Sequence, residues 1–250
     1  MIYVFRCLVI AAYTAFWGTI GVFLFPFDRS GRTTAWVANH WIAWLLHSCG
    51  IRVEAEGAEL VERVQPCVIM ANHQSVFDIA ALVHVLRIPW RFVAKRELLW
   101  VPFFGWALAL AGQVIVDRRN RERAVQSLAR AAERVRGGLN VIIFPEGTRT
   151  QSHELGAFKS GGFHLAIRAG VPIVPVSVSG SRLITPKNSL RVESGRMRVR
   201  FGEAISTAGL TADDRHVLKA RVREAILAGF DPELQAPGTP GGRPAPAAIP

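Results

Sequence analysis

Four short runs rich in apolar residues, Cys67–Ala71, Arg91–Lys95, Gln113–Val116 and Asn140–Phe144, lie apart by stretches of helical character. Each run is strand-sized, and the intervening segments 76–86 and 120–136 carry helix signals. Strands that alternate with helices predict an α/β domain with a largely parallel central sheet flanked by helices. Ligands of such sheets bind at the strand exits and the loops after them. Here His73 follows the first run, Lys95 ends the second, Arg118 follows the third, and Glu146, Gly147 and Arg149 follow the fourth. A parallel arrangement puts all of them on one rim.

The rest of the chain fits around that unit. Residues 51–56 alternate apolar and charged residues as a strand, and 57–65 reads as a short helix. The helix over 120–136 shows Val125, Leu128, Ala132 and Val135 on one face and stops at Gly137-Gly138. Ser160–Ala169 reads as a helix ended by Gly170. The strand over 171–180 carries Pro172 and Pro175, which predict an edge, a bulge or an irregular entry. A strand over 196–201 and an amphipathic helix over 211–227 close the domain. The segment 235–250 is Pro, Gly and Ala with almost no large apolar residue, so it reads as a disordered tail.

The N-terminus decides how the charge is read. A formal net charge of +11 draws a protein to polyanions, either nucleic acid or an anionic lipid surface. From Cys7 to Phe27 no residue is charged, a length that crosses a bilayer or lies deep in one. The run is longer than a signal-peptide core, and Phe25-Pro26-Phe27 stands where a small-residue cleavage site belongs, so an uncleaved membrane anchor is expected. A second apolar segment, 34–49, carries Trp36, Trp41 and Trp44. It is either a helix at the membrane interface, where indole is favoured, or a buried core helix. The aromatic stretch 97–112 is likewise either packed inside or offered to lipid. The division expected is 1–50 as an anchor or docking hairpin, 51–234 as the main domain, and 235–250 as the tail. Cys7, Cys49 and Cys67 form no metal-type or redox-type pair and read as small buried hydrophobes in a reducing compartment.

Asn72-His73-Gln74-Ser75-Val76-Phe77-Asp78 carries the most specific chemistry. Ser75 followed by Asp78 matches a capping box, which puts Asp78 in the first helical turn. From there its carboxylate reaches one ring nitrogen of His73, fixing the tautomer and freeing the other nitrogen to take a proton from a hydroxyl. On spacing alone a second reading stands beside it: Asp78 only caps a helix and His73 is a loop histidine. Lys95, Arg118 and Arg149 are donors suited to a phosphate. Gly147 admits close backbone approach, while Glu146 repels a phosphate and is expected to hold an arginine or a substrate hydroxyl. The seven histidines show no metal-ligand spacing.

Asn72-His73-Gln74-Ser75 with Asp78, followed by Phe144-Pro145-Glu146-Gly147-Thr148-Arg149, resembles the glycerolipid acyltransferase family, and within it the 1-acyl-glycerol-3-phosphate acyltransferases. Lys95, Leu98, Pro102, Gly105, Gly112 and Asp117-Arg118 are similar to that family's second motif, and Val171–Val176 to its fourth. The resemblance spans residues 65–180. Thr150 stands where the family often has Ser, and Phe158-Lys159-Ser160-Gly161 varies a basic-glycine stretch. The resemblance implies transfer of a fatty acyl group from acyl-CoA or acyl carrier protein to the sn-2 hydroxyl of lysophosphatidate. It implies His73 as general base, Asp78 as its orienting partner, and Arg118, Glu146, Gly147 and Arg149, with Lys95, at the acceptor phosphate. No metal and no cofactor beyond the acyl donor are implied. The partners are membrane lipids and the donor, with no nucleic acid. The place is the cytoplasmic face of the inner (plasma) membrane, where both donors are found. Another lysolipid acceptor, such as lyso-ornithine lipid or lysophosphatidylglycerol, is the nearest alternative. A non-catalytic lipid-binding membrane protein is the alternative from another class, and the intact His73, Asp78, Glu146 and Arg149 argue against it.

Overall fold

The computed structural model describes residues 2–28, 30–150, 154–185, 189 and 191–235. Nearly all of the expected tail therefore lies outside the described residues. Seven strands, β1 (Ile51–Glu56), β2 (Val68–Ala71), β3 (Trp90–Lys95), β4 (Val114–Val116), β5 (Asn140–Ile143), β6 (Ile173–Ser179) and β7 (Gly195–Phe201), form one sheet in the order β1-β7-β6-β2-β5-β3-β4. The five strands β6-β2-β5-β3-β4 run parallel, and the β7–β1 pair runs the other way, joined to β6 by an antiparallel ladder. The exits of β2, β3, β4 and β5 thus share one rim.

Helices α1 (Ile2–Leu24) and α2 (Arg32–Cys49) precede the sheet, and α3 (Glu59–Arg63) lies between β1 and β2. Then follow α4 (Phe77–Val85), α5 (Phe104–Leu110), α6 (Arg121–Arg136), α7 (Gly161–Ala169), α8 (Ser181–Ile184) and α9 (Arg215–Ala228). Because side chains alternate along a strand, each central strand feeds two cores. Ile69, Phe92, Ile142, Val174 and Val176 meet Leu82 and Leu86, and also Leu45, Leu46 and Cys49 of α2. Val68, Met70, Val141, Ile143 and Ile173 meet Ala132 and Val135 of α6, Leu165 of α7, and Leu218 and Val222 of α9. Each fully buried leucine contributes about 1.5–3 kcal/mol by the area it removes from water.

Two local expectations change. On α6 the buried residues are Ala131, Ala132 and Val135, with Ala124 and Leu128 packed beside them, while Val125 is exposed. The stripe runs through Ala124, one position away from the residue chosen by apolar character. β6 is not an edge strand, since it is paired on both sides and wholly buried. Its proline is accommodated by an irregularity. The Pro175 carbonyl accepts from Gly202 N at 2.8 Å, so the Pro175 nitrogen also faces β7, where pairing slips by one residue between Ile173↔Ile205 and Val176↔Phe201. No ladder bond is lost where no N–H exists.

The apolar N-terminus keeps most of its surface outside. Tyr3–Phe27 is long and apolar enough to cross a membrane, and only 17% of it is buried within the protein. Trp17 of α1 packs edge-on against Trp36 and Trp44, and Tyr3 donates to Glu193 Oε1 at 2.6 Å, tying α1 to the segment before β7. On α2 one side is core and the other is not. Ile42, Leu45 and Leu46 enter the core on one side, while Trp36 and Trp44 remain exposed on the other. The aromatic stretch after β3 also faces outward, with Trp100, Phe103 and Trp106 exposed and Phe103 set against Gly18 of α1. Together these residues form one apolar surface of the kind that associates with a membrane.

None of the three cysteines forms a disulfide, and burial pushes the Cys67 thiol up to about 12. Only the thiolate is nucleophilic. Iodoacetamide at mildly alkaline pH should therefore leave Cys67 unmodified in the folded protein and label it in denaturant, as read by peptide mass. Labelling of native Cys67 at the denatured rate would contradict its burial.

Candidate active site

The loop from Asn72 to Val76 joins β2 to α4 at the shared rim. Asn72 fixes its start: the side-chain amide donates to Val178 O at 2.8 Å and its oxygen accepts from Val178 N at 2.7 Å. That pair of bonds fastens the exit of β2 to β6. Asp78, fully buried in the first turn of α4, gathers the rest of the loop. Its Oδ2 accepts from Gln74 N at 2.7 Å and from Ser75 N at 2.8 Å, and lies 2.9 Å from His73 Nδ1. Two peptide N–H groups already make Oδ2 an acceptor, so Nδ1 is the N–H donor of the third bond, and in the neutral ring Nε2 is then the nitrogen with the lone pair. The contact expected between Asp78 and His73 is thus present.

The Ser75 side chain departs from the capping expectation. Asp78 reaches back to Ser75 N as a capping box requires, but the Ser75 hydroxyl donates to Thr185 O at 2.9 Å and meets Phe77 N only at 3.4 Å. The hydroxyl ties the loop to the end of α8 instead of closing the box. The imidazole of His73 stacks on Phe144 at 4.1 Å between centroids, and Phe144 stacks on Phe92. With 15% of its side chain accessible, His73 sits in an opening and not in the core.

Register explains why Glu146 meets this loop. Met70 of β2 is level with Ile143 of β5, so His73 and Glu146, each three residues further on, are level at the rim. Glu146 is buried, and its Oε1 accepts from His73 N at 2.6 Å. Its Oε2 accepts from Gly156 N at 2.9 Å and from the Thr150 hydroxyl, while Thr150 N donates to His73 O at 2.8 Å. Both peptide groups of His73 are thus held by the turn after β5. Glu146 was expected to hold an arginine or a substrate hydroxyl; its carboxylate is directed to backbone and to Thr150.

The expected cations reach the same rim in different states. Arg118 donates through Nη1 to Gly147 O, which brings it from the exit of β4 onto the turn after β5. Arg149 makes no ion pair among the described residues. Lys95 is bound 3.3 Å from Glu97, which also meets Arg119 at 3.4 Å. The carboxyl of Glu97 is held below its usual range, first by its own peptide N–H and then by those two cations. Gly147 has φ +72°, a conformation that a side chain resists. The described residues hold no group of three or more His, Cys, Asp or Glu placed to share a metal ion. Asn72, Phe144 and Thr150 carry structural duties that spacing did not reveal, and Lys159 lies against Gly147 unforeseen.

The sequence pattern of the family described as Acyltransferase matches residues 52–179. The chain is 40% identical over 196 residues to 1-acyl-sn-glycerol-3-phosphate acyltransferase alpha of Homo sapiens, covering 77% of this chain and 68% of the relative. It is 30% identical over 238 residues to 1-acyl-sn-glycerol-3-phosphate acyltransferase of Salmonella typhimurium, covering 94% and 96%. The crystal structure of the 1-acyl-sn-glycerophosphate (LPA) acyltransferase PlsC from Thermotoga maritima superposes with a TM-score of 0.77 at 25% identity, over 91% of this chain and 92% of that one.

Proposed function

The chain belongs to the acyltransferase family, and we propose that it is an O-acyltransferase that moves a fatty acyl group from a thioester to the sn-2 hydroxyl of lysophosphatidate, giving phosphatidate. The observation that carries the chemistry is the His73–Asp78 pair, with Asp78 Oδ2 at the meeting point of three N–H groups. His73 Nε2 takes the proton of the acceptor hydroxyl as its oxygen attacks the thioester carbonyl. The C–S bond then breaks, and the imidazolium returns the proton to the departing thiolate. Asp78 stabilises the imidazolium between those two transfers. The acyl group passes directly to the acceptor, and no side chain forms an acyl-enzyme.

Arg118 and Arg149, with Lys95 beside them, take the acceptor phosphate, and Gly147 lets the turn approach it. Glu146 serves the same site by holding the His73 peptide. The thioester of coenzyme A or acyl carrier protein is the co-substrate, and no other cofactor enters. The apolar surface of α1, α2 and the stretch 100–110 holds the rim at a bilayer, where the acceptor resides. Both donors are cytosolic, which puts the catalytic domain on the cytoplasmic face. A net charge of +11 favours anionic lipid and acidic donor alike.

The test is a panel of lysolipid acceptors given to the purified protein with one radiolabelled acyl-CoA. Lysophosphatidate should be acylated in preference to lysophosphatidylglycerol and lyso-ornithine lipid; a preference for either of those moves the assignment to that headgroup. In the same panel Arg149→Ala should raise KM for lysophosphatidate about 10-fold, the loss of one charge-assisted contact. An equal rise for an acceptor without a phosphate would remove Arg149 from the phosphate site.

A further inference from the structure

A methyl group placed on Gly147 would lie 2.9 Å from Cδ and Cε of Lys159 and 3.2 Å from its Nζ. The Lys159 side chain therefore lies across the turn after β5, with its ammonium beside Gly147. Its backbone is pinned there: Lys159 N donates to Pro145 O at 2.8 Å, Phe158 before it is buried and stacked on Phe163, and α7 begins two residues later. Arg118 bonds to Gly147 O, and Arg149 follows two positions on. The ammonium of Lys159 has no ion-pair partner among the described residues. Glu146, one residue from the turn, has both oxygens turned to His73, Thr150 and Gly156. Three cations thus attend one glycine turn, and among the described residues none of them has an ion pair, though Arg118 feels the charge of Glu97.

From this arrangement we propose that Lys159 contacts the acceptor phosphate and makes the site selective for phosphomonoester over phosphodiester lysolipids. The inference rests on the acyl-transfer reading above. A phosphomonoester carries about 1.5–2 negative charges at neutral pH, whereas a phosphodiester carries one. Two arginines suffice for the single charge, and Lys95 is already partly neutralised by Glu97 at 3.3 Å. A third cation gains most from the second charge, because Coulomb attraction scales with the charge of the ligand. Lysine suits that part, being a compact point charge on a stem that Gly147 leaves room to lie flat.

The experiment compares the wild type with Lys159→Gln and Lys159→Arg in phosphatidylcholine vesicles. It reads KM for lysophosphatidate and the competitive inhibition constant of lysophosphatidylglycerol, so the diester is measured whether or not it is acylated. Lys159→Gln should raise the first about 10-fold and the second about 3-fold or less, in proportion to ligand charge. In the wild type the preference for the monoester should grow with pH as its second proton leaves near a pKa of about 6. That growth should flatten in Lys159→Gln and persist in Lys159→Arg. Equal changes for both ligands, or an unaltered pH dependence in Lys159→Gln, would overturn the inference while leaving the reaction intact. A wild type that does not acylate lysophosphatidate at all would overturn the acyl-transfer reading on which it stands.

Discussion

Replacing His73 with alanine should lower the turnover of acyl transfer about 10³–10⁴-fold, toward the upper end of what a general base contributes. The size follows from the place of the imidazole: its Nε2 is the acceptor that the Asp78 contact directs toward a proton. The fold should survive, because His73 holds the loop through its peptide and not its ring. His73 N still donates to Glu146 Oε1, Thr150 N still donates to His73 O, and Asp78 Oδ2 keeps Gln74 N and Ser75 N. What alanine loses is the stacking on Phe144, worth about 0.5–1.5 kcal/mol, and the Nδ1 bond to Asp78 Oδ2, whose two peptide donors remain. KM for lysophosphatidate and sedimentation with vesicles should therefore stay near wild type while kcat falls. Wild-type turnover in that variant would remove His73 from the chemistry, and a fall matched by lost vesicle binding would point to misfolding instead.

The strand-and-helix pattern was readable because it is local. The runs 67–71, 91–95, 113–116 and 140–144 each carry their own apolar signal, and the parallel order follows once helices separate them. The His73–Asp78 contact was readable for the same reason, since both lie within one loop and the first turn after it. What sequence did not yield is set by partners far along the chain. Asn72 is fixed by Val178 across 106 positions, the Ser75 hydroxyl is claimed by Thr185, and Lys159 reaches Gly147 only because Phe158 and α7 fold back on β5. The tryptophans of α2 divide between core and surface because α2 lies between α4 and α1, a choice no periodicity encodes. Pro172 and Pro175 were read for their missing donors, correctly as an irregularity, but their place inside the sheet depends on where β7 stops pairing.

Glu146→Ala should be the most damaging change that removes neither reacting group. In the acyltransferase motif a carboxylate beside a phosphate site invites a role toward substrate, yet here it is buried and receives His73 N, Gly156 N and the Thr150 hydroxyl. Alanine leaves those three donors facing a void, each unpaired buried group costing about 1–3 kcal/mol. If two of them find water, the loss is still about 1–3 kcal/mol, or about 2–12 °C in the unfolding midpoint of a chain this size. The His73 peptide is then free to shift, and a misplacement of about 1 Å costs about 10²-fold in rate. A brace and a substrate contact differ in what they move. Loss of the brace lowers the thermal midpoint and kcat together and changes KM for lysophosphatidate little, whereas loss of a substrate contact raises KM at an unchanged midpoint. Glu146→Gln sharpens the distinction. Its one carbonyl oxygen can still accept from His73 N, but its amide then faces Gly156 N, donor against donor. It should therefore recover part of the rate and little of the midpoint. Full stability in Glu146→Gln with a changed KM would return Glu146 to the acceptor site.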